Sequence, residues 1–531
     1  MEKLRLYANT VPITFNSWIA SFVGIVLIRA LLEQFSSFKP GEFILINMSS
    51  IIHFNVFFLT SILGLMVILM FFTKTSLKEV SVICLFGFFF IWIPPIVDLI
   101  FGGVGGHSIN YLFVTGKELF LQFVTYFFSE QTNSGVTLGM KIEGILGGIF
   151  VFSYVYTITK NIIRSLVATF TFYVFVLFLG SIPSLIALFL PNQGGPAVSI
   201  LQSIISSHII QNNLDPNFTA NNQGLIEFAF NKTMIGINII IAILAAFSLF
   251  FLGARKKLIA LLKNGRPERL FYFFLLSIFG VALAHGTWST NWIDIQSYIL
   301  ATITLICAGM FSICQNDIQD ETIDAVSNKN RPLITKDLSK NDLEIASKIF
   351  LILALLSAYA SSLYILFFTC LGLSIYFIYS NPPLRLKRFV ILNSSLVGLA
   401  CLSAVLGGFF LMNPNKAITA FPFDLAVAII VFHIAVSNIR DIKDFEGDRA
   451  VGIKTIPTLL GLKNSKKLIA GIICFFFLLI PWYFHLSFLF VPSIIASLLS
   501  WYFINQENYK EWKAFMVYLI YLILIICTIA F

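Results

Sequence analysis

The feature that most constrains this chain is a recurrence: apolar runs of about 20 residues follow one another, separated by short polar stretches. A helix needs about 20 mostly apolar residues to cross about 30 Å of hydrocarbon. Only helices and closed barrels can satisfy their backbone polar groups at that depth. With 58% hydrophobic and 11% charged residues, 531 residues supply too little polar surface to cover a water-soluble globule. The expected fold class is all-α and polytopic, embedded in a bilayer.

Six runs occupy the first half, at about residues 14–34, 52–72, 79–101, 140–159, 165–190 and 234–253. The first contains Arg29 and is followed by no small-residue cleavage site, so it is expected to be a retained span and not a signal peptide. A basic connector follows, with Arg255, Lys256, Lys257, Lys263, Arg266 and Arg269. Nine further runs come after it, at about 271–289, 297–317, 343–361, 363–380, 389–412, 421–440, 467–484, 486–504 and 513–531. The expected division is an N-terminal membrane domain over 1–253, a connector over 254–270 and a nine-helix bundle over 271–531.

A net charge of +9 on a soluble protein would suggest nucleic acid, but here Lys and Arg fall mostly in short loops between runs. Alternating crossings put the connector, 318–342, 381–388, 441–466 and 505–512 on one face, and these hold nearly all the Lys and Arg of the second half. By the positive-inside rule that face is cytoplasmic, and counting back through the first six runs places Met1 there too. The seven cysteines are scattered singly without CxxC spacing, and the six histidines form no HExxH pair. That excludes a disulfide framework and a zinc site, so any metal should be oxygen-ligated.

Acidic side chains are scarce, which makes two clusters at the ends of runs conspicuous. The first reads Asn316-Asp317-Ile318-Gln319-Asp320-Glu321-Thr322-Ile323-Asp324, followed by Asn330-Arg331-Pro332-Leu333. At about 100° per residue on a continuous helix, Asn316, Asp317, Asp320 and Asp324 share one face. The second reads Asn438-Ile439-Arg440-Asp441-Ile442-Lys443-Asp444-Phe445-Glu446-Gly447-Asp448, with Gly452 to Pro457 after it, and places Asn438, Asp441, Asp444 and Asp448 on one face. Carboxylates so arranged repel one another unless a cation joins them. Mg²⁺ takes carboxylate oxygens and keeps waters or phosphate oxygens as its other ligands, which suits a diphosphate. Between the clusters runs Tyr379-Ser380-Asn381-Pro382-Pro383-Leu384-Arg385-Leu386-Lys387-Arg388, a helix end stopped by prolines and carrying cations. Lys387, Arg388 and Arg331 are natural partners for phosphate oxygens.

Taken together, these stretches resemble the UbiA-type intramembrane prenyltransferases, with their NDxxDxxxD and RPL, YSxPPxRLK, and DxxDxEGD followed by GxxTxP. The resemblance covers about 265 residues with the motifs in order. It implies that Asp317, Asp320, Asp324, Asp441, Asp444 and Asp448 bind Mg²⁺, and that Asn316, Arg331, Tyr379, Lys387, Arg388 and Asn438 bind or orient a prenyl diphosphate, with geranylgeranyl the expected prenyl group. It further implies that the chain of that substrate lies in an apolar tunnel and that loss of diphosphate leaves an allylic cation, captured by a hydrophobic acceptor from the bilayer. Phe311, Tyr376 and Phe432 lie near the motif-bearing ends and could face that cation. The pattern after the first motif lacks the HP and second Lys of the phosphoribosyl-decaprenol branch, and that motif is unlike the one in haem O synthases. The stretch from Gly447 to Gly461 is more similar to enzymes acting on homogentisate, chlorophyllide or geranylgeranylglyceryl phosphate.

Other readings compete with these. Solvated acidic helix ends, or a cation transporter using the carboxylates as an ion path, would also place acids near spans; transport sites belong near mid-span, not at helix ends. Asp98, after Pro94 and Pro95, reads as a broken helix end, and His285 and His433 as hydrogen-bonded core residues. Gly102 to Gly106 lacks the strand-to-helix context of a phosphate loop, and the sequons at Asn217 and Asn231 have no supporting signal. The first half shows no catalytic constellation.

Overall fold

In the computed structural model, residues 1–37, 48–101, 111, 116–126, 136–188, 223–284 and 291–530 are described. Asn217, His285 and the Gly102–Gly106 loop lie outside them. Among the described residues the chain is helical with no strand, and fourteen helices are long and apolar enough to cross a membrane. It divides into two compact units, Met1–Leu258 and Ile259–Phe531. The protein is an integral, multi-pass membrane protein.

The first unit holds α1 (Glu2–Thr10), α2 (Phe15–Ser37), α3 (Met48–Thr73), α4 (Leu77–Phe88), α5 (Ile93–Phe101), α6 (Gly116–Thr125), α7 (Leu138–Thr159), α8 (Ile162–Gly180), α9 (Ile182–Leu188) and α10 (Gln223–Gly253). Six of the fourteen candidate spans lie here, at the six expected runs. Pro94 and Pro95 lack the amide hydrogens a continuous helix would need, and the chain passes through a 3₁₀ turn at Phe89–Trp92 before restarting as α5. Asp98 then does structural work: its Oδ1 accepts from the Gly139 amide at 3.2 Å, anchoring the start of α7. Asn231 is buried in α10, its side-chain amide nitrogen donating to Ser50 at 3.0 Å, which leaves that sequon inside the helix packing.

Helix α11 (Arg255–Lys263) leads into the second unit, which contains α12 (Pro267–Leu283), α13 (Trp292–Gln319), α14 (Glu321–Ser327), α15 (Lys340–Ser361), α16 (Leu363–Ser380), α17 (Val390–Met412), α18 (Phe423–Lys443), α19 (Phe445–Val451), α20 (Ile456–Leu460), α21 (Leu462–Tyr483), α22 (Phe490–Asn505) and α23 (Glu511–Ala530). Eight of its helices reach spanning length; the run expected at 271–289 is α12, only 17 residues long within the described residues. It still belongs to the bundle. A Cβ on Gly280 would lie 1.9 Å from the Val405 carbonyl oxygen, and one on Gly408 would lie 1.9 Å from that of Ser277. The backbones of α12 and α17 touch because neither position carries a side chain, the usual means of close helix packing where lipid removes a hydrophobic drive.

Candidate active site

Neither acidic cluster lies on the continuous helix that residue spacing alone suggests. Helix α13 ends at Asp320, whose backbone leaves helical geometry (φ −105°, ψ 16°), and α14 begins anew. Helix α18 ends in the same way at Asp444 (φ −86°, ψ 6°) before α19. The two short helices, α14 and α19, pack against each other, so both clusters meet over one polar pocket of about 80 Å³.

The break sorts the acids. Asp317 turns away from the pocket wall and is buried at 2% exposure, paired with the Arg266 guanidinium while the Asn264 side-chain amide donates to its Oδ2 at 2.7 Å. Asp320, Asp324, Asp441, Asp444 and Asp448 all face the pocket, as do Asn316, Arg331, Tyr379 and Lys387. Lys387 is buried and donates to Asp320 Oδ2 at 2.6 Å, and Arg385 Nη2 donates to Asp320 Oδ1 at 3.0 Å. Arg388 is exposed and off the pocket wall. Asn438 is buried off the wall too, donating to the Ile434 carbonyl at 2.7 Å and accepting from Ser394 at 3.4 Å.

Electrostatics leave the pocket short of positive charge at chosen atoms. Asp324 Oδ1 accepts from Asn328 at 2.8 Å, but its buried Oδ2 has no partner, and neither does Asp444 Oδ1. Burial pushes the Asp324 carboxyl above the usual carboxylate range. Burial first, then repulsion from Asp441 and Asp444, raises Asp448 to about 7. Lys387 is shifted down by burial, which its Asp320 partner opposes. Among the described residues no three acid, His or Cys side chains converge on one point as a ready cage for a metal ion. The unpartnered carboxylate oxygens nevertheless fit the donor set that a hard divalent cation requires, since burial without a partner is costly for a charged oxygen.

Adjoining the polar pocket is an apolar cavity of about 360 Å³, walled by α12, α13, α16, α17, α18 and α23. Five residues line both spaces: Arg266, Arg269, Asn316, Tyr379 and Arg440. Arg440 Nη2 donates to the Tyr379 hydroxyl at 2.8 Å and lies over its ring, fixing that junction. Of the aromatics near the motif-bearing ends, Tyr376 lines the cavity, whereas Phe311 packs edge-on against Tyr376 behind the wall and Phe432 packs among His433, Phe476 and Tyr518. Tyr272, Phe273, Phe368, Trp512 and Phe515 complete the aromatic lining. His433 reaches the wall with Nδ1 against the Ile429 carbonyl at 2.6 Å and Nε2 against the Tyr518 hydroxyl at 3.0 Å.

Residue spacing alone did not single out Arg266, Arg269, Arg385, Asn393, Arg440, Thr455 or Glu511 as site residues. Arg266 and Arg269 read as charges of a basic connector, and their signal was the Pro267 that starts α12 immediately beneath the pocket. Glu511, held 3.4 Å from Arg269 and 3.5 Å from Lys443, carried no local signal.

The model of the UbiA prenyltransferase family matches residues 273–524. The C-terminal half of the chain belongs to the UbiA prenyltransferase family. Among UbiA relatives, probable homogentisate phytyltransferase 2 of Oryza sativa subsp. japonica is 26% identical over 205 residues, covering 36% of this chain and 52% of the relative. Homogentisate solanesyltransferase of Arabidopsis thaliana is 30% identical over 200 residues, covering 36% and 51%. The chain thus spans about half the length of the curated relatives it matches. A solved UbiA homolog from Archaeoglobus fulgidus, bound to GPP and Mg²⁺, superposes with a TM-score of 0.40 at 18% identity, over 51% of this chain and 99% of that one.

Proposed function

We propose that the C-terminal unit transfers a prenyl group from a prenyl diphosphate to a lipophilic acceptor. The observation that carries this reading is the continuity of a small, charged pocket with a larger apolar cavity through five shared residues. Such a space fits an amphiphile with a highly charged head and a hydrocarbon tail. The position of both acidic clusters at helix ends favours head-group chemistry over a mid-span ion path.

Asp320, Asp324, Asp441, Asp444 and Asp448 would hold Mg²⁺, with Asp317 orienting Arg266 toward the pocket. Bound there, Mg²⁺ would neutralise oxygen charge on the diphosphate as it leaves. Arg266, Arg269, Arg331 and Lys387 donate to phosphate oxygens, and Asn316 orients the head at the junction. The allylic C–O bond breaks with its electron pair going to the diphosphate. The cation left behind meets the faces of Tyr376, Tyr379 and Tyr272, and a nucleophilic atom of the acceptor captures it and releases a proton. The basic loops around the pocket support a cytoplasmic-facing site. The names of the relatives favour an aromatic acceptor of the homogentisate type, with geranylgeranyl as a fitting prenyl group.

The test offers labelled geranylgeranyl diphosphate and Mg²⁺ to the purified protein with homogentisate or native lipid extract and identifies products by mass spectrometry. Asp444→Ala abolishes Mg²⁺-dependent diphosphate release while leaving the protein folded. Full release by that variant overturns the assignment.

A further inference from the structure

The first unit holds a cavity of about 1520 Å³, walled by α2, α3, α4, α5, α7, α8 and α10. Most of its wall is supplied by helices long and apolar enough to cross a membrane, a setting that suits lipophilic ligands. Much of the wall is aromatic, including Phe54, Phe57, Phe90, Phe170 and Tyr173. Ionisable groups are rare in such surroundings and, when present, mark ligand or ion sites.

The polar groups on this wall form a particular set. Arg29, 6% exposed, is paired with Glu33 one helical turn on, and its Nε is buried without a partner. Asp98 is committed to the Gly139 amide, and His53 bridges Asn231 at 2.8 Å and the Tyr111 hydroxyl at 2.6 Å. Glu143 also lines the cavity, accepts no hydrogen bond among the described residues, and senses Arg29 only through space. Among the described residues the chamber therefore offers one Lys or Arg, Arg29, which already has its counterion, and a surplus of acceptors in Asp98, Glu143 and Glu227. A phosphate or carboxylate head would meet repulsion here, in contrast to the arginine-lined pocket of the second unit.

We propose that this chamber is a second binding site, for an uncharged lipophile whose head is an aromatic ring bearing a hydroxyl. The hydroxyl donates to Glu143, the ring stacks on the phenylalanine faces, and the alkyl tail fills the remaining apolar space. The proposal does not depend on prenyl transfer.

The test uses purified full-length protein without any prenyl diphosphate, and a 4-dodecylphenol probe carrying a diazirine in its chain. After irradiation, labelled peptides are located by mass spectrometry. Label is expected in α3 and α7, competed at least about tenfold better by unlabelled 4-dodecylphenol than by dodecyl phosphate or dodecyltrimethylammonium. Glu143→Leu weakens that competition by about tenfold, and Ala30→Phe, which places a ring in the chamber, removes the label. Equal or better competition by the phosphate or the ammonium overturns the proposal, the latter pointing to a cation site. Label confined to Ile259–Phe531, or unchanged by Ala30→Phe, overturns it as well. If Glu143→Leu does not fold, Ala30→Phe and the competition series decide. Loss of prenyl transfer in a separate assay leaves these outcomes untouched.

Discussion

Asp317 and Asp444 belong to equivalent acidic motifs, yet the structure gives them opposite physical situations, and replacing each by Ala separates the two. Asp317 is 2% exposed, carries the Arg266 ion pair and accepts from Asn264 at 2.7 Å. Removing it leaves a buried guanidinium without a counterion, a loss of about 3–5 kcal/mol for a buried pair broken on one side. Arg266 also borders both cavities, so water can recover part of this, and the lower end of the range applies. With about 2–4 °C per kcal/mol for a folding unit of a few hundred residues, unfolding should move down by about 6–12 °C. Asp444 instead has a buried oxygen with no partner, so its removal relieves an unmatched group. Asp444→Ala should unfold no earlier than the parent and lose the stabilisation that Mg²⁺ confers. The assay is thermal unfolding of detergent-solubilised protein with Mg²⁺ or with EDTA. An Asp317→Ala protein as stable as the parent, or an Asp444→Ala protein with its Mg²⁺ shift intact, refutes the division of roles.

Three further outcomes follow from the same geometry. Because the Asp448 carboxyl is raised to about 7, the folded chain holds a proton that the unfolded chain has released. Stability from this group is complete below the unfolded value near 4 and is lost as pH rises toward 7. Unfolding in EDTA should therefore occur at lower temperature at pH 8 than at pH 5, while the Mg²⁺ shift should be larger at pH 8, where no proton competes with the metal. Lys387→Met should reduce kcat/KM for prenyl diphosphate by about 10²–10³, since it removes a buried cation facing the pocket; steady-state diphosphate release measures it. Gly408→Leu should abolish stable expression, because its Cβ would lie 1.9 Å from the Ser277 carbonyl and backbone must move; Gly148→Ala, with the nearest atom at 3.4 Å, should be tolerated.

Much of the architecture was legible from the chain alone. Bilayer thickness imposes a length on each apolar run, so fourteen of the fifteen expected spans appear as helices long enough to cross, and the fifteenth, α12, as a shorter one. Acids and cations are expensive in lipid, so their clustering at run ends marked the site before any folding was known. That is why Asp320, Asp324, Asp441, Asp444, Asp448, Asn316, Arg331 and Lys387 were found from spacing and residue type and line the pocket, whereas Tyr379, which lines it too, was signalled only by the family resemblance.

Tertiary structure alone decided the rest. Periodicity assumes a continuous helix, but the breaks at Asp320 and Asp444 depend on α14 and α19 packing together. The partner that draws Asp317 aside stands 51 residues earlier, and Arg385 was recognisable as a carboxylate clamp only once its loop lay against Asp320. The cavity of the first unit left still less trace. In a membrane the faces toward lipid and toward other helices are both apolar, so no stripe along α3 or α7 distinguishes a lining residue from an outward one. Composition and spacing thus determined a multi-pass helical protein with acidic chemistry at one end of a bundle; which side chains share a cavity was decided by helix packing, because only packing brings distant residues to a common wall.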